Sequence, residues 1–100
     1  MNEKIKSENM DLLFEAILTL ESVDDCYKFF SDLCTTIELK SFAQRFHVAR
    51  LLDKHRVYNS IVTQTGASTA TISRVNRSLQ DGSDGYSIVF DRLKEKNLLK

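Results

Sequence analysis

Apolar residues recur at intervals of three and four along most of this chain, and no proline interrupts them. Two such series near the N-terminus are Met10, Leu13, Phe14, Ile17, Leu18 and Val23, Tyr27, Phe30, Leu33, Cys34. This period belongs to one face of an α-helix, whereas the strict alternation of a half-buried strand is absent from the sequence. We therefore predict an all-α fold.

Capping residues and glycines mark where the predicted helices begin and end. Ser22 with Asp25, and Thr35 with Glu38, have the spacing at which a hydroxyl and a carboxylate satisfy free helix amides. A long third helix is predicted over residues 37–55, with an apolar face of Leu39, Phe42, Phe46, Ala49 and Leu52. Shorter helices follow over 58–65 and 69–80, and "DGSDG" separates them from a last helix over 86–98.

The amount of apolar sequence predicts one small domain that needs a partner. A chain of 100 residues with 42% hydrophobic residues can bury only a thin core. Its first two helices nevertheless carry large apolar side chains, among them Phe14, Ile17, Tyr27, Phe29 and Phe30. We expect a homodimer to cover them. Because the sequence lacks both a run of about 18 apolar residues and a signal peptide, we expect a cytoplasmic protein without a membrane partner.

Charge is distributed unevenly although the formal net charge is zero. Residues 1–40 carry four basic and nine acidic side chains, whereas residues 41–80 carry six basic and one acidic. A locally basic surface attracts phosphates even on a neutral molecule. The same asymmetry could serve only solubility or self-association, so charge alone does not decide between these roles.

The basic third contains the segment "GASTATISRVNRSL", which follows the short helix over 58–65. Gly66 permits the positive φ that ends that helix, and Ser68 can cap the next one. Ala67 is small enough for the two backbones to approach, and Ile61, Ile72 and Val75 are spaced to meet inside the angle. This pattern predicts a helix-turn-helix.

Short side chains on the second of these helices suit it to the major groove of double-stranded DNA. Ser68, Thr69, Ala70 and Ser73 are left on its outer face, where hydroxyls can bond base edges and methyl groups can touch thymine. The predicted phosphate or guanine contacts are basic side chains on and before this helix: Lys54, Arg56, Arg74 and Arg77. An ordinary helical hairpin with a solvated face would show the same local pattern.

The stretch "LCTTIELKSFAQRFHVARLLDKHRVYNSIVTQTGASTATISRVNRSL" resembles the Trp repressor family, most of all its small members of unassigned effector. The resemblance implies a six-helix fold and an intertwined homodimer in which the N-terminal helices of each subunit wrap around the other. It places the base-reading residues at Thr69, Ala70 and Ser73. We accordingly expect dimerisation helices in 1–56, the helix-turn-helix in 57–80 and a C-terminal helix in 84–100.

The same resemblance implies an altered effector pocket. Arg74 matches one of two arginines that enclose the tryptophan ring in the family, and Thr71 matches a threonine of the pocket wall. The second arginine aligns with Gln44, or with Arg45 after a shift of one residue, and Val75 replaces the glycine that leaves room for the ligand. We expect that L-tryptophan is no corepressor, and that either Val75 or an unknown small-molecule effector holds the recognition helices.

Enzymatic and metal-binding patterns are absent from the sequence. His47 and His55 lack a third ligand at a suitable spacing, and neither a GxSxG elbow nor a glycine-rich phosphate loop occurs. Cys26 and Cys34 form no CxxC pair, and we interpret them as reduced thiols. The sequence predicts a DNA-binding transcriptional regulator without a catalytic residue, metal or cofactor, the alternative being a helical dimerisation or protein-interaction module that has lost operator binding.

Overall fold

The computed structural model describes residues 3–99, which form six α-helices, a short 3-10 helix (Glu3–Ile5) and no strand. The α-helices are α1 (Glu8–Ile17), α2 (Val23–Leu33), α3 (Thr36–Asp53), α4 (Tyr58–Thr65), α5 (Thr69–Asp81) and α6 (Gly85–Glu95). The predicted all-α class is therefore confirmed.

Side-chain caps begin several of these helices, as the sequence predicted. The Ser22 hydroxyl accepts the Asp25 amide at 3.0 Å, while the Asp25 carboxylate accepts the amide of Glu21. At α3 the cap is reciprocal: the Thr35 amide donates to Glu38 at 2.8 Å, and the Glu38 amide donates to the Thr35 hydroxyl at 3.1 Å. The hydrogen bonds from the Thr35 backbone and side chain hold the pKa of Glu38 below its ordinary value.

Two helices end earlier than the sequence predicted. Helix α3 ends at Asp53 because His55 adopts a left-handed backbone (φ 60°), and the amides of His55 and Arg56 turn back to carbonyls of the last turn. Helix α6 ends at Glu95, where Asn97 also adopts a left-handed backbone (φ 60°) and the amides of Asn97 and Leu98 bond carbonyls of the last turn. Both ends have the hydrogen-bond pattern of the Schellman motif, which glycine usually forms. Because His55 and Asn97 stand where glycine is usual, neither helix end was marked in the sequence.

The chain divides into two compact units, Met1–Lys40 and Ser41–Lys100, so the division lies within α3. In the first unit, no residue of 4–40 is buried. Its exposed large apolar side chains are Ile5, Leu12, Phe14, Leu18, Val23, Tyr27, Leu33 and Ile37. Cys26 and Cys34 are both half-buried free thiols.

The second unit contains a closed apolar core. Its buried members are Val48, Ala49, Leu51, Ile61, Ala67, Ile72, Val75 and Phe90. The rings of Phe46, Tyr86 and Phe90 lie 5.6–6.4 Å apart, centroid to centroid, and join α3 to α6.

The predicted apolar face of α3 is only partly correct. Ala49 is buried, and Phe46 and Leu52 pack against the core, but Phe42 is 46% exposed. Val48 and Leu51 point into the core instead. The later part of α3 therefore turns a wider stripe toward the core than the predicted face, one that includes Val48 and Leu51.

No helix in residues 3–99 is long and apolar enough to cross a membrane. The same residues contain no group of three His, Cys, Asp or Glu side chains placed to hold a metal ion.

Candidate nucleic-acid interface

Helices α4 and α5 form the predicted helix-turn-helix with the predicted boundaries at its turn. Gly66 ends α4 in the left-handed region (φ 72°), and Ser68 caps α5 by accepting the Thr71 amide at 3.1 Å. Ala67 is buried in the turn, where Ile61 of α4 and Ile72 of α5 enter the core. The inner face of α5 is therefore held by packing, and its outer face is left to solvent.

The outer face of α5 carries short side chains at its start and arginines further along. The exposed residues that the sequence analysis selected are Ser68, Thr69, Ala70, Ser73, Arg74 and Arg77. Positions 69, 73 and 77 are four residues apart and share one side of the helix. A helix with such small side chains near its N-terminus can approach base edges closely.

Among residues 3–99, four basic side chains on this part of the chain have no acidic partner. Lys54 and Arg56 lie in the connection before α4 and are exposed, as are Arg74 and Arg77 on α5. The ion pairs found in residues 3–99 involve other groups, Lys28 with Asp24 and Lys94 with Asp53. Positive charges that no carboxylate neutralises can contact phosphates.

A feature that the sequence analysis missed is the start of α4. Its N-cap is Val57, which supplies no side-chain hydrogen bond, so the first amides of the helix have no side-chain acceptor there. Helix N-termini favour anions, and here Lys54 and Arg56 precede the helix in sequence. In the sequence, the signal for this anion-favouring helix start was the pair of basic residues Lys54 and Arg56 just before the apolar N-cap Val57.

The predicted effector-pocket residues have other contacts in the structure. Val75 is 2% exposed and belongs to the core, while the Gln44 side-chain amide donates to the Thr65 carbonyl at 3.1 Å. The Arg45 guanidinium lies 5.1 Å from the centre of the Phe42 ring, and the Thr71 hydroxyl accepts a hydrogen bond from Ser68. Arg74 is exposed.

A surface groove of about 550 Å³ lies elsewhere in the second unit. It is lined by Phe46, Ser78, Gly82, Ser83, Gly85, Tyr86 and Val89, so none of the five predicted effector-pocket residues contributes to it.

Comparison with known proteins gives consistent matches over nearly the whole chain. The family model described as Trp repressor protein matches residues 8–94. The uncharacterized protein YerC of Bacillus subtilis (strain 168) is 50% identical over 93 residues, covering 93% of this chain and 89% of YerC.

Two crystal structures are also similar to this chain. A TrpR-like protein from Eubacterium eligens is 52% identical, with a TM-score of 0.91 and 99% of each chain covered. A protein from Staphylococcus aureus, proposed to be a Trp repressor, is 50% identical, with a TM-score of 0.89 and 92% of each chain covered.

Proposed function

Because this chain belongs to the Trp repressor family, whose members are DNA-binding regulators rather than enzymes, we propose that it is a sequence-specific transcriptional regulator that binds double-stranded DNA as a homodimer. The observation that carries this proposal is the exposed face of α5, which has small side chains at its start and, further along, arginines that pair with no carboxylate within residues 3–99. Its opposite face is held in the core by Ile72 and Val75.

Each exposed residue has a role in this proposal. Thr69, Ala70 and Ser73 read base edges in the major groove, with Ser68 beside them at the N-terminus of α5. Positive charges hold the DNA backbone and set the register without reading sequence; they belong to Lys54, Arg56, Arg74 and Arg77.

The homodimer is supported by the first unit of the chain. Helices α1 and α2 contain no buried residue, yet they present large apolar side chains to solvent, namely Leu12 and Phe14 on α1 and Val23, Tyr27 and Leu33 on α2. A second copy that wraps its own N-terminal helices around these would remove them from water. The resulting pair of α5 helices would enter successive major grooves about 34 Å apart.

We further propose that L-tryptophan does not act as corepressor. Val75 stands where the family has the glycine that leaves room for the ligand, and its side chain is already packed among buried neighbours. Forcing a ring against it would cost about 1–3 kcal/mol of overpacking, a tenfold to hundredfold loss of affinity. Calorimetry with L-tryptophan is expected to give no binding at or below millimolar concentration, and coupled tightening of DNA binding would contradict this.

Selection of bound sites from random duplex DNA tests the proposed function. We expect enrichment of a two-fold symmetric site whose affinity falls steeply with salt. If four basic side chains per subunit touch phosphates, about eight contacts give a slope of log K against log salt near −7. A folded dimer that enriches no sequence would instead identify a dimerisation or protein-interaction module.

A further inference from the structure

We propose that Gln44 and Thr65 are positioning residues that hold the recognition helix α5 at its DNA-reading angle without any ligand. The proposal rests on the DNA-binding function proposed above and concerns how the reading face is kept in place. Its basis is a set of hydrogen bonds that meet at Thr65, the last residue of α4.

The first part of this set joins α3 to the end of α4. The Gln44 side-chain nitrogen donates to the backbone carbonyl of Thr65 at 3.1 Å, across 21 residues of sequence. Carbonyls in the last turn of a helix accept no hydrogen bond from an amide of that helix. The Gln44 side chain supplies a donor to one of them. Both residues are half-buried, which limits competition from water.

The second part joins α4 to the turn. The Thr65 hydroxyl donates to the Ile61 carbonyl at 2.8 Å and accepts the Ala67 amide at 3.1 Å. Ala67 is buried and directly precedes the N-cap of α5, so removal of the hydroxyl would take this acceptor from a buried amide. Through its carbonyl and its hydroxyl, Thr65 therefore connects α3, α4 and the residue that leads into α5.

This arrangement bears on DNA reading because hydrogen bonds to base edges require side chains placed within about 0.5 Å. A small change at the turn would rotate Thr69 and Ser73 away from the bases, whereas flexible contacts to phosphates would adapt. Val75 packs the inner side of α5, the Thr65 hydroxyl bonds the residue before its N-cap, and Gln44 in turn bonds Thr65. We therefore expect sequence preference to depend on the hydrogen bonds of Gln44 and Thr65.

The experiment compares two substitutions with matched controls on the selected site and on random duplex DNA at one salt concentration. Thr65→Val removes the hydroxyl and keeps the shape, and Thr65→Ser is its control because it keeps the hydroxyl. Gln44→Met removes the donor and keeps the length, and Gln64→Met is its control because exposed Gln64 bonds only locally, to Ser60.

We expect Thr65→Val and Gln44→Met each to lower the ratio of specific to non-specific affinity by about tenfold or more. Affinity for random DNA and the salt slope should stay as in the wild type, and both controls should keep the full ratio. Amide hydrogen exchange at Ala67 should accelerate in Thr65→Val, a change that requires no DNA.

If Thr65→Val does not fold, Gln44→Met alone tests the inference, because this variant keeps the hydrogen bond between the Ala67 amide and the Thr65 hydroxyl. An unchanged ratio in Gln44→Met, with a wild type that does discriminate, overturns this inference and leaves the proposed function standing. A wild type without any sequence preference overturns the proposed function itself, and the DNA-reading role of both residues with it.

Discussion

Residues 41–99 enclose eight buried apolar side chains, whereas among residues 4–40 none is buried. Both regions are helical and both contain large apolar residues, so the difference is not one of composition alone. In the later region, helices α3 to α6 supply complementary surfaces, and Ile61, Ile72 and Phe90 pack into one core. In the earlier region the apolar side chains of α1 and α2 stay in contact with water.

The later region therefore holds α5 in place with its own residues, whereas the earlier region leaves large apolar side chains exposed. Under the proposed function, a second copy of the chain would cover these side chains and supply the second recognition helix. Substitutions that act on one region at a time test this contrast.

The largest effect is expected from the joint substitution of Leu12→Gln and Leu18→Gln, whose side chains are 69% and 76% exposed. If a second copy covers them, a dimer loses four buried leucines, each contributing about 1.5–3 kcal/mol. The dimer dissociation constant should rise by about a thousandfold or more in sedimentation equilibrium. Glu15→Gln on the same helix should leave it unchanged, and equal behaviour of both variants would show that α1 is not an interface.

A smaller effect, in the other region, is expected from Ile72→Ala. Ile72 lies on the inner side of α5 and is fully buried in the core. Its truncation should therefore lower the free energy of unfolding by about 2–5 kcal/mol. Urea denaturation at matched protein concentrations measures this loss. The neighbouring exposed substitution Ser73→Ala should change stability by less than about 0.5 kcal/mol. A cost below about 1 kcal/mol for Ile72→Ala would mean that this core is not closed.

The reading face itself is tested by Thr69→Val, which keeps the shape of the side chain and removes its hydroxyl. Loss of a base-specific hydrogen bond should weaken binding to the preferred site by about 1–3 kcal/mol and leave random duplex DNA almost unaffected. Arg77→Gln is the contrasting variant, because removal of a phosphate contact should weaken both kinds of complex alike. Fluorescence anisotropy titrations measure both affinities. If Thr69→Val lost equal affinity for the preferred site and for random DNA, Thr69 would not read bases.

The smallest effect concerns Glu38 at the start of α3. Its folded-state pKa lies below the unfolded value because Thr35 donates to the carboxylate. The ionised group therefore stabilises the fold above the ordinary carboxyl pKa, and this contribution disappears as the pH falls through the lowered value. Glu38→Gln should flatten the dependence of unfolding free energy on pH in that acidic range, measured by thermal melts, more than Glu15→Gln does.

Local features of this protein were readable from the sequence because they involve residues three or four apart. The hydroxyl caps at Ser22, Thr35 and Ser68 were predicted and are present, and Gly66 has the predicted positive φ. The turn between α4 and α5, and hence which residues are exposed on α5, follow from such local chemistry. The assignment to the Trp repressor family came from the same segment and is confirmed.

Tertiary structure determined the burial and the contacts that involve residues far apart in the chain. It selected Val48 and Leu51 rather than Phe42 for the core, because burial depends on which neighbouring helix a side chain meets. It also brought the Gln44 amide to a carbonyl 21 residues away, a contact that no local spacing encodes. The six helices and the exposed side of α5 therefore follow from local sequence, whereas packing between helices sets how α5 is held.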